Sequence, residues 1–233
     1  MTNTTIEPTG KRQARFKLPE MEGPIARWYT RLRSSESQIQ TYRRQALQLT
    51  EALADGADVL EVAPGPGHLA VEIARLGRFQ VTALDISRTF VEIGSENARR
   101  AGVSVDFRVG DAASLPFEAE SFDLVVCQAA FKNFTRPIDA LDEMHRVLRA
   151  GGAAVIQDMS SDASHADIER EVEAMDLGRV NTFMTKATLE MLRRRAYSAA
   201  QFKRLAAESK FQTCEILTEG IGMEVRLKKR VVA

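Results

Sequence analysis

Several things this chain has little of narrow its reading before any motif is considered. It carries only two cysteines, Cys127 and Cys214. Each lies in an apolar strand-like run, so a disulfide-stapled scaffold is excluded and both read as buried free thiols of a reducing compartment. Net charge is absent: Lys+Arg and Asp+Glu number 32 each, which leaves no overall pull toward nucleic acid or an anionic membrane. The cationic clusters Arg193-Arg194-Arg195 and Lys228-Lys229-Arg230 are short, have acids nearby, and read as solvated faces. No run approaches eighteen apolar residues, and the opening "MTNTTIEPTGKRQ" has no apolar core of a secretory signal. The expectation is a soluble, cytoplasmic protein with no nucleic-acid or membrane partner and no bound metal; the oligomeric state is left open, a homodimer included. Repeats and long low-complexity linkers are also missing.

What is present is an alternation. Apolar residues make up 44% of the chain, enough for a full core. After a polar start, "GPIARWYTRL" and "SQIQTYRRQALQLTEALADG" read as helices; in the second, Ile39, Tyr42, Ala46, Leu49 and Leu53 recur at helical steps. From residue 58 onward, strands and helices take turns. "DVLEVA" is a strand, "GHLAVEIARLG" a helix, "FQVTALD" a strand, and "SRTFVEIGSENARRAG" a helix capped by Ser87 and ended by Gly102. "VSVDFRV" and "FDLVVCQA" are strands three and four. "RPIDALDEMHRVLRAGG" is a helix ending in glycine, and "AAVIQDM" is strand five. Such alternation predicts a parallel sheet covered on both faces, with strands one, four and five buried on both sides. The tail "FQTCEILTEGIGMEVRLKK" breaks the rhythm and predicts an antiparallel hairpin turning at Glu219–Gly222.

In an open α/β sheet, ligands bind beyond the carboxyl ends of the strands. Here the first strand ends in "LEVAPGPGHLA", where Gly65-Pro66-Gly67-His68-Leu69-Ala70 fits the dinucleotide pattern G-x-G-x-x-A. Gly65 and Gly67 allow close backbone approach, and Gly67 opens a helix whose free N–H groups attract an anion. The second strand ends in Asp85, followed by Ile86; the carboxylate is placed to accept both hydroxyls of a ribose. Asp111 and Ala112, in "RVGDAASLPF", can serve an adenine amino group and a ring nitrogen. The carbonyls around Gln128 can hold an ammonium. Glu61, four residues before the Gly turn, sits awkwardly beside a pyrophosphate but suits a ligand with an ammonium. The alternative for Glu61 is a carboxylate that braces the loop.

The ligand with all of these features is S-adenosylmethionine. The stretches "VLEVAPGPGHLA", "VTALDIS", "VGDAASLPF", "FDLVVCQAAFKNF" and "ALDEMHRVLRAGGAAVIQDM" resemble the class I S-adenosylmethionine-dependent methyltransferases, in the small-molecule group related to the ubiquinone/menaquinone methyltransferases. The resemblance covers about residues 57 to 160. It implies a Rossmann-like, seven-stranded, mostly parallel sheet with helices on both faces. It also implies that Glu61, Gly65 and Gly67 hold the methionine end of the cofactor, Asp85 the ribose, Asp111 and Ala112 the adenine, and Gln128 the surroundings of the ammonium. Ala63 stands where the family usually has its first glycine, so the turn must accept a Cβ there, which works with a negative φ. The N-terminal region does not resemble that of the quinone enzymes, so their substrate is not carried over.

Methyl transfer requires donor, methyl and acceptor in line in a dry site, with a base only where the acceptor keeps its proton. His165, after strand five, is the best placed proton acceptor, with a helix-start role as its alternative. Asp158 is a weaker candidate; His68 reads as a helix-start residue and His145 as a surface residue. Phe131, Asn133 and Phe134, after strand four, are expected near the reacting methyl. Trp28 and Tyr29 are expected to cover the cofactor or to pack an entry helix. Between Leu177 and Tyr197, Val180, Phe183, Met184, Ala187 and Met191 line one helical face. That face reads as an adaptable lid over an apolar substrate, or else as a core-facing helix. The expected division is a flexible start (1–15), an N-terminal helical cap (16–56), a cofactor-binding core (57–160), a helical lid (161–197), and a final helix and hairpin (198–233). Two readings compete with a methyltransferase acting at a carbon, nitrogen or oxygen atom of a small apolar or aromatic molecule: a nicotinamide-dependent oxidoreductase, and a protein of this fold that binds the cofactor without transferring methyl. Arsenic methylation is excluded by the want of thiolates.

Overall fold

The computed structural model describes residues 21–32, 35–175 and 178–231. In chain order the elements are α1 (Gly23–Leu32), α2 (Glu36–Thr50), β1 (Asp58–Val62), α3 (His68–Arg75), β2 (Gln80–Asp85), α4 (Arg88–Ala101), β3 (Asp106–Val109) and β4 (Phe122–Gln128). A 3₁₀ turn (Phe131–Asn133) leads to α5 (Pro137–Val147), β5 (Leu148–Met159), α6 (His165–Ala174), α7 (Arg179–Arg193), α8 (Ala199–Glu208), β6 (Glu215–Glu219) and β7 (Gly222–Lys228). One seven-stranded sheet runs in the order β3-β2-β1-β4-β5-β7-β6. The first five strands are parallel. β7 enters antiparallel between β5 and β6, making the hairpin expected from the tail.

Pleat alternation sends neighbouring residues of the central strands into two cores. Leu60, Val62, Val125, Cys127, Ala154, Ile156, Val225 and Leu227 meet Leu141 and Met144 of α5 and Phe202 and Ala206 of α8. Val59, Val81, Ala83, Leu124, Val126 and Val155 meet Leu69, Ala70 and Ile73 of α3 and Tyr42, Ala46 and Leu49 of α2. The second predicted helix is therefore a layer of the sheet's flank. The predicted caps of α4 also hold: Ser87 Oγ accepts the Phe90 N–H at 3.1 Å, and Gly102 is left-handed. Both cysteines are free thiols, Cys127 buried and Cys214 half-buried.

One boundary differs from expectation. The helix predicted to end in Gly151-Gly152 stops at Val147, and "LRAGG" already belongs to β5. Leu148 is fully buried and pairs with Phe122, after which the register shifts. A Cβ at Gly152 would come within 2.9 Å of the Asp123 carbonyl oxygen, so this glycine serves the close approach of two strands and caps no helix.

Strand order reverses between β1 and β4, which send their chains to opposite sides of the sheet. Their carboxyl ends flank the crevice where α/β sheets bind ligands.

Candidate active site at the carboxyl ends of the strands

Glu61 is the deepest titratable group of the Gly turn. It is 2% exposed and held on β1 by its strand neighbours. The Ala70 backbone N–H reaches its carboxyl group, while Oε2 has no hydrogen-bond partner among the described residues. Burial pushes its pKa up to about 8, and the charge of Asp85 adds to the rise. A buried carboxyl oxygen without a partner is costly, so its retention calls for a cation to meet it. The amino group of S-adenosylmethionine is such a cation, and the residues present fit that cofactor. Its bond from the Ala70 N–H also braces the turn, so the loop-bracing role and a cation at Oε2 are compatible.

The Gly turn follows. Gly65 and Gly67 have φ of 55° and 75°, and Gly67 is the N-cap of α3. A Cβ at Gly65 would meet nothing within 4 Å, so this corner faces open space; one at Gly67 would come within 2.6 Å of the Phe107 ring. Ala63 corrects the sequence expectation. Its φ is +56°, left-handed despite the Cβ, because its N–H is tied to the Leu84 carbonyl at 2.8 Å. An alanine there carries roughly 1–2 kcal/mol of strain relative to glycine. Ala129, just past β4, repeats the device with φ of 55° and its N–H on the Gln157 carbonyl at 2.7 Å.

Asp85 ends β2 at 6% exposure. Its Oδ2 accepts the Gly65 N–H at 3.0 Å and its Oδ1 the Ser87 N–H at 2.9 Å. Burial raises its pKa to about 6, and nearby Glu22 contributes. The Ile86 N–H also reaches this carboxyl group, which keeps acceptor capacity for a hydroxyl. Ile86 beside it is 67% exposed, an apolar surface at the lip of the crevice. Asp111 is exposed; its carboxylate accepts the Ala113 N–H at 2.9 Å and pairs with Arg136 at 2.8 Å. Ala112 is partly buried against the core. Gln128 ends β4 and donates to Gln157 of β5 at 3.2 Å.

Other candidates fall elsewhere. Phe131 is corrected from pocket wall to core: it is fully buried among Phe134, Tyr197 and Phe202. Phe134 is partly buried beside it, and Asn133 is exposed, its Oδ1 3.4 Å from an Arg195 nitrogen. His165 takes the helix-start place that was its alternative. It is the first residue of α6, its side chain is 72% exposed, and its Nδ1 lies 2.5 Å from Glu190 Oε1 of α7. Asp158 is committed too, for Oδ1 takes the Lys132 ammonium at 2.7 Å and Oδ2 the Lys132 N–H at 3.1 Å. His68 packs on Tyr42 and His145 on Phe211. Trp28 and Tyr29 fall on α1, and their side chains, like that of Val180, lie outside the described residues, as does the segment 1–20. Phe183, Met184 and Met191 of α7 are 75%, 63% and 55% exposed, so that face is not a core face.

The sequence reading missed two groups. Lys132 is 8% exposed; besides pairing with Asp158 it donates to the Ala129 carbonyl at 2.6 Å, bracing the left-handed turn after β4. A lone lysine in "AAFKNF" was its only signal. Glu22 caps α4 from outside: Oε1 accepts the Arg88 N–H at 2.8 Å, and Oε2 accepts the Thr89 N–H at 3.2 Å and its hydroxyl. The Thr89 hydroxyl bond leads in holding the Glu22 carboxyl below its usual range. Ser87 Oγ donates to the Met21 carbonyl at 2.8 Å, so residues 21–23 strap down beside Asp85.

Among the described residues no group of His, Cys, Asp and Glu could hold a metal ion, and no helix is long and apolar enough to cross a membrane. Residues 60–156 match the family model described as a methyltransferase domain. A demethylmenaquinone methyltransferase from Deinococcus radiodurans is 33% identical over 169 residues, 70% of this chain and 69% of that protein. A ubiquinone/menaquinone biosynthesis C-methyltransferase from Rhizobium meliloti is 39% identical over 106 residues, but the match spans 44% of this chain and only 41% of that one. Among solved structures, an S-adenosylmethionine-dependent methyltransferase from Methanococcus maripaludis, described as putative in its name, superposes with a TM-score of 0.69 at 19% identity, covering 93% of this chain and 97% of that one. That last likeness speaks to fold alone. With the crevice at β1 and β4, the unpartnered Glu61 oxygen and the buried Asp85, the chain belongs to the class I S-adenosylmethionine-dependent methyltransferases, in the small-molecule group related to the ubiquinone and menaquinone enzymes.

Proposed function

We propose that this protein moves the methyl group of S-adenosylmethionine to a carbon atom of a small apolar or aromatic molecule. The observation that carries the cofactor half is Glu61 Oε2, buried and without a partner at the Gly turn. A dinucleotide would bring a pyrophosphate toward that carboxylate, whereas an amino-acid ammonium answers it. Gly65 and the start of α3 receive the methionine carboxylate; Asp85 accepts the ribose hydroxyls. Ile86, Asp111 and Ala112 hold the adenine. When bound, the cofactor supplies a methyl on a cationic sulfur. The chain's own part is to hold the acceptor in line with it and keep water out, which can contribute roughly 7–11 kcal/mol.

For the acceptor, support comes from the exposed apolar face of α7 with Phe183, Met184 and Met191, and from the carbon methylation named for the Rhizobium relative. The hairpin of α6 and α7 acts as the lid over it. Lys186–Glu169 joins the two helices, and Arg193 ties α7 to the Ala163 carbonyl at 3.0 Å. A second reading, cofactor binding without methyl transfer, draws on the commitment of His165 and Asp158 to other partners, which leaves no evident base. Both are tested by incubating the protein with methyl-labelled S-adenosylmethionine and demethylated quinols, phenols and aromatic amines. Label on a ring carbon supports the first reading; tight cofactor binding with label on no acceptor supports the second.

A further inference from the structure

Three polar side chains stand in one row across adjacent strands: Gln128 of β4 is in register with Gln157 of β5, and Gln157 with Glu224 of β7. The row is hydrogen-bonded throughout. Gln128 Nε2 donates to Gln157 Oε1 at 3.2 Å, and Gln157 Nε2 donates to Glu224 Oε2 at 2.8 Å. Arg226 Nε closes it from outside, donating to Glu224 Oε1 at 2.6 Å.

An amide row of this kind has two senses, because each amide carries a donor on one side and an acceptor on the other. A carboxylate has only acceptors. With Glu224 at the end, Gln157 must turn its NH₂ toward β7 and its oxygen toward β4. Gln128 must then turn its NH₂ toward Gln157. β4 lies between β1 and β5, so the remaining oxygen of Gln128 faces the β1 side. It accepts no hydrogen bond from the described residues. Glu61 on β1 is in register with Val126, one pleat repeat before Gln128, and so projects to the same face. Its Oε2 is buried and without a hydrogen-bond partner among the described residues.

We propose that Glu224 is a positioning residue, which sets the polarity of this row so that Gln128 offers an oxygen, together with Glu61, to the ammonium of the cofactor. The inference rests on the S-adenosylmethionine reading. Glu224 touches no ligand; it acts through Gln157. Without it the row can invert and set the NH₂ of Gln128 against a cation.

The test is calorimetric titration of the full chain with S-adenosylhomocysteine and with 5′-methylthioadenosine, which keeps the nucleoside and sulfur but has no ammonium. Glu224→Gln should weaken S-adenosylhomocysteine binding about tenfold and leave methylthioadenosine within about twofold. Moving the carboxylate one strand inward, in the double variant Glu224→Gln with Gln157→Glu, should restore the first affinity, since residue 157 could then only accept from Gln128. The proposal is overturned if Glu224→Gln binds S-adenosylhomocysteine as the parent does, if it loses both ligands equally, or if the double variant gives no recovery. A parent protein that binds neither ligand removes the cofactor reading itself, and the proposal with it.

Discussion

The two ends of the central strands are built on opposite terms. At the amino ends, Arg149 of β5 bridges Asp123 of β4 at 2.6 Å and Asp58 of β1 at 2.8 Å, and Asp123 also takes the Asp58 N–H at 2.8 Å. These hydrogen bonds hold the Arg149 guanidinium above its ordinary pKa, Asp58 leading. At the carboxyl ends of the same sheet, two carboxyl groups are buried at 2% and 6% exposure with raised pKa values, one oxygen has no partner, and two alanines are forced left-handed. Left-handed non-glycine residues also occur away from the site, Glu120 just before β4 and Gln212 among them, so backbone strain alone does not mark it. What sets the carboxyl ends apart is a pair of buried carboxyl groups with no cation beside them among the described residues, where the amino ends pair their acids with Arg149.

The sharpest way to break this contrast is at Asp85. Asp85→Ala should weaken S-adenosylhomocysteine binding about 10–100-fold, the worth of hydrogen bonds to a charged group. Unchanged affinity in a titration would remove Asp85 from the ribose site. Gly67→Val is a poor probe of the same turn, because its side chain would strike Phe107 and unsettle the packing first.

The next effect is one of pH. A carboxyl group with its pKa raised from 4.5 to about 8 holds its proton in the free protein at neutrality, and a bound ammonium favours the ionised form. Cofactor affinity should therefore rise with pH, by up to about tenfold per unit, and level off above about 8. Stability should run the other way. Folding takes up a proton at Glu61, so its contribution is complete below about 4.5 and declines as pH rises toward 8, by about 5 kcal/mol in order of magnitude. Denaturant midpoints measured from pH 5 to 8 on Glu61→Gln should show a flatter profile than the parent; identical slopes would exonerate Glu61.

Smaller effects sharpen the comparison at each end. Arg149→Ala should cost about 1 kcal/mol of stability, modest because the group is partly exposed, and leave cofactor affinity alone. Ala63→Gly should raise stability by about 0.5–1 kcal/mol, as relief of the left-handed strain exceeds the added freedom of the unfolded chain. A drop in melting temperature for that variant would mean that Ala63 is not strained at all.

Much of this was legible beforehand. The elements of the sheet and their order follow from apolar periodicity and from glycines and caps at the joints, as at Ser87 and Gly102. Glu61, Gly65, Gly67 and Asp85 come together because each sits at a fixed offset from a strand end, and parallel strands bring those ends to one side. Position after strand five says which end of the sheet His165 is on, not which neighbour its ring will meet; Glu190 lies 25 residues further along the chain. Phe131 misled for a related reason, since a loop aromatic can turn into the core as readily as into a pocket. Lys132 and Glu22 escaped notice because their partners, Asp158 and the start of α4, are distant in sequence.

By itself the sequence determined the local matters: which segments are strands or helices, where the chain turns, and which residue types stand at the strand ends, all governed by interactions within a few residues. Only the tertiary structure decided that Ala63 and Ala129 would be left-handed, that Asp158 would serve Lys132, and that Gln128, Gln157 and Glu224 would share one row. Those outcomes depend on strand register and on β7 lying against β5. Hydrogen bonds between strands brought together from distant parts of the chain are set by packing, which local preference does not encode.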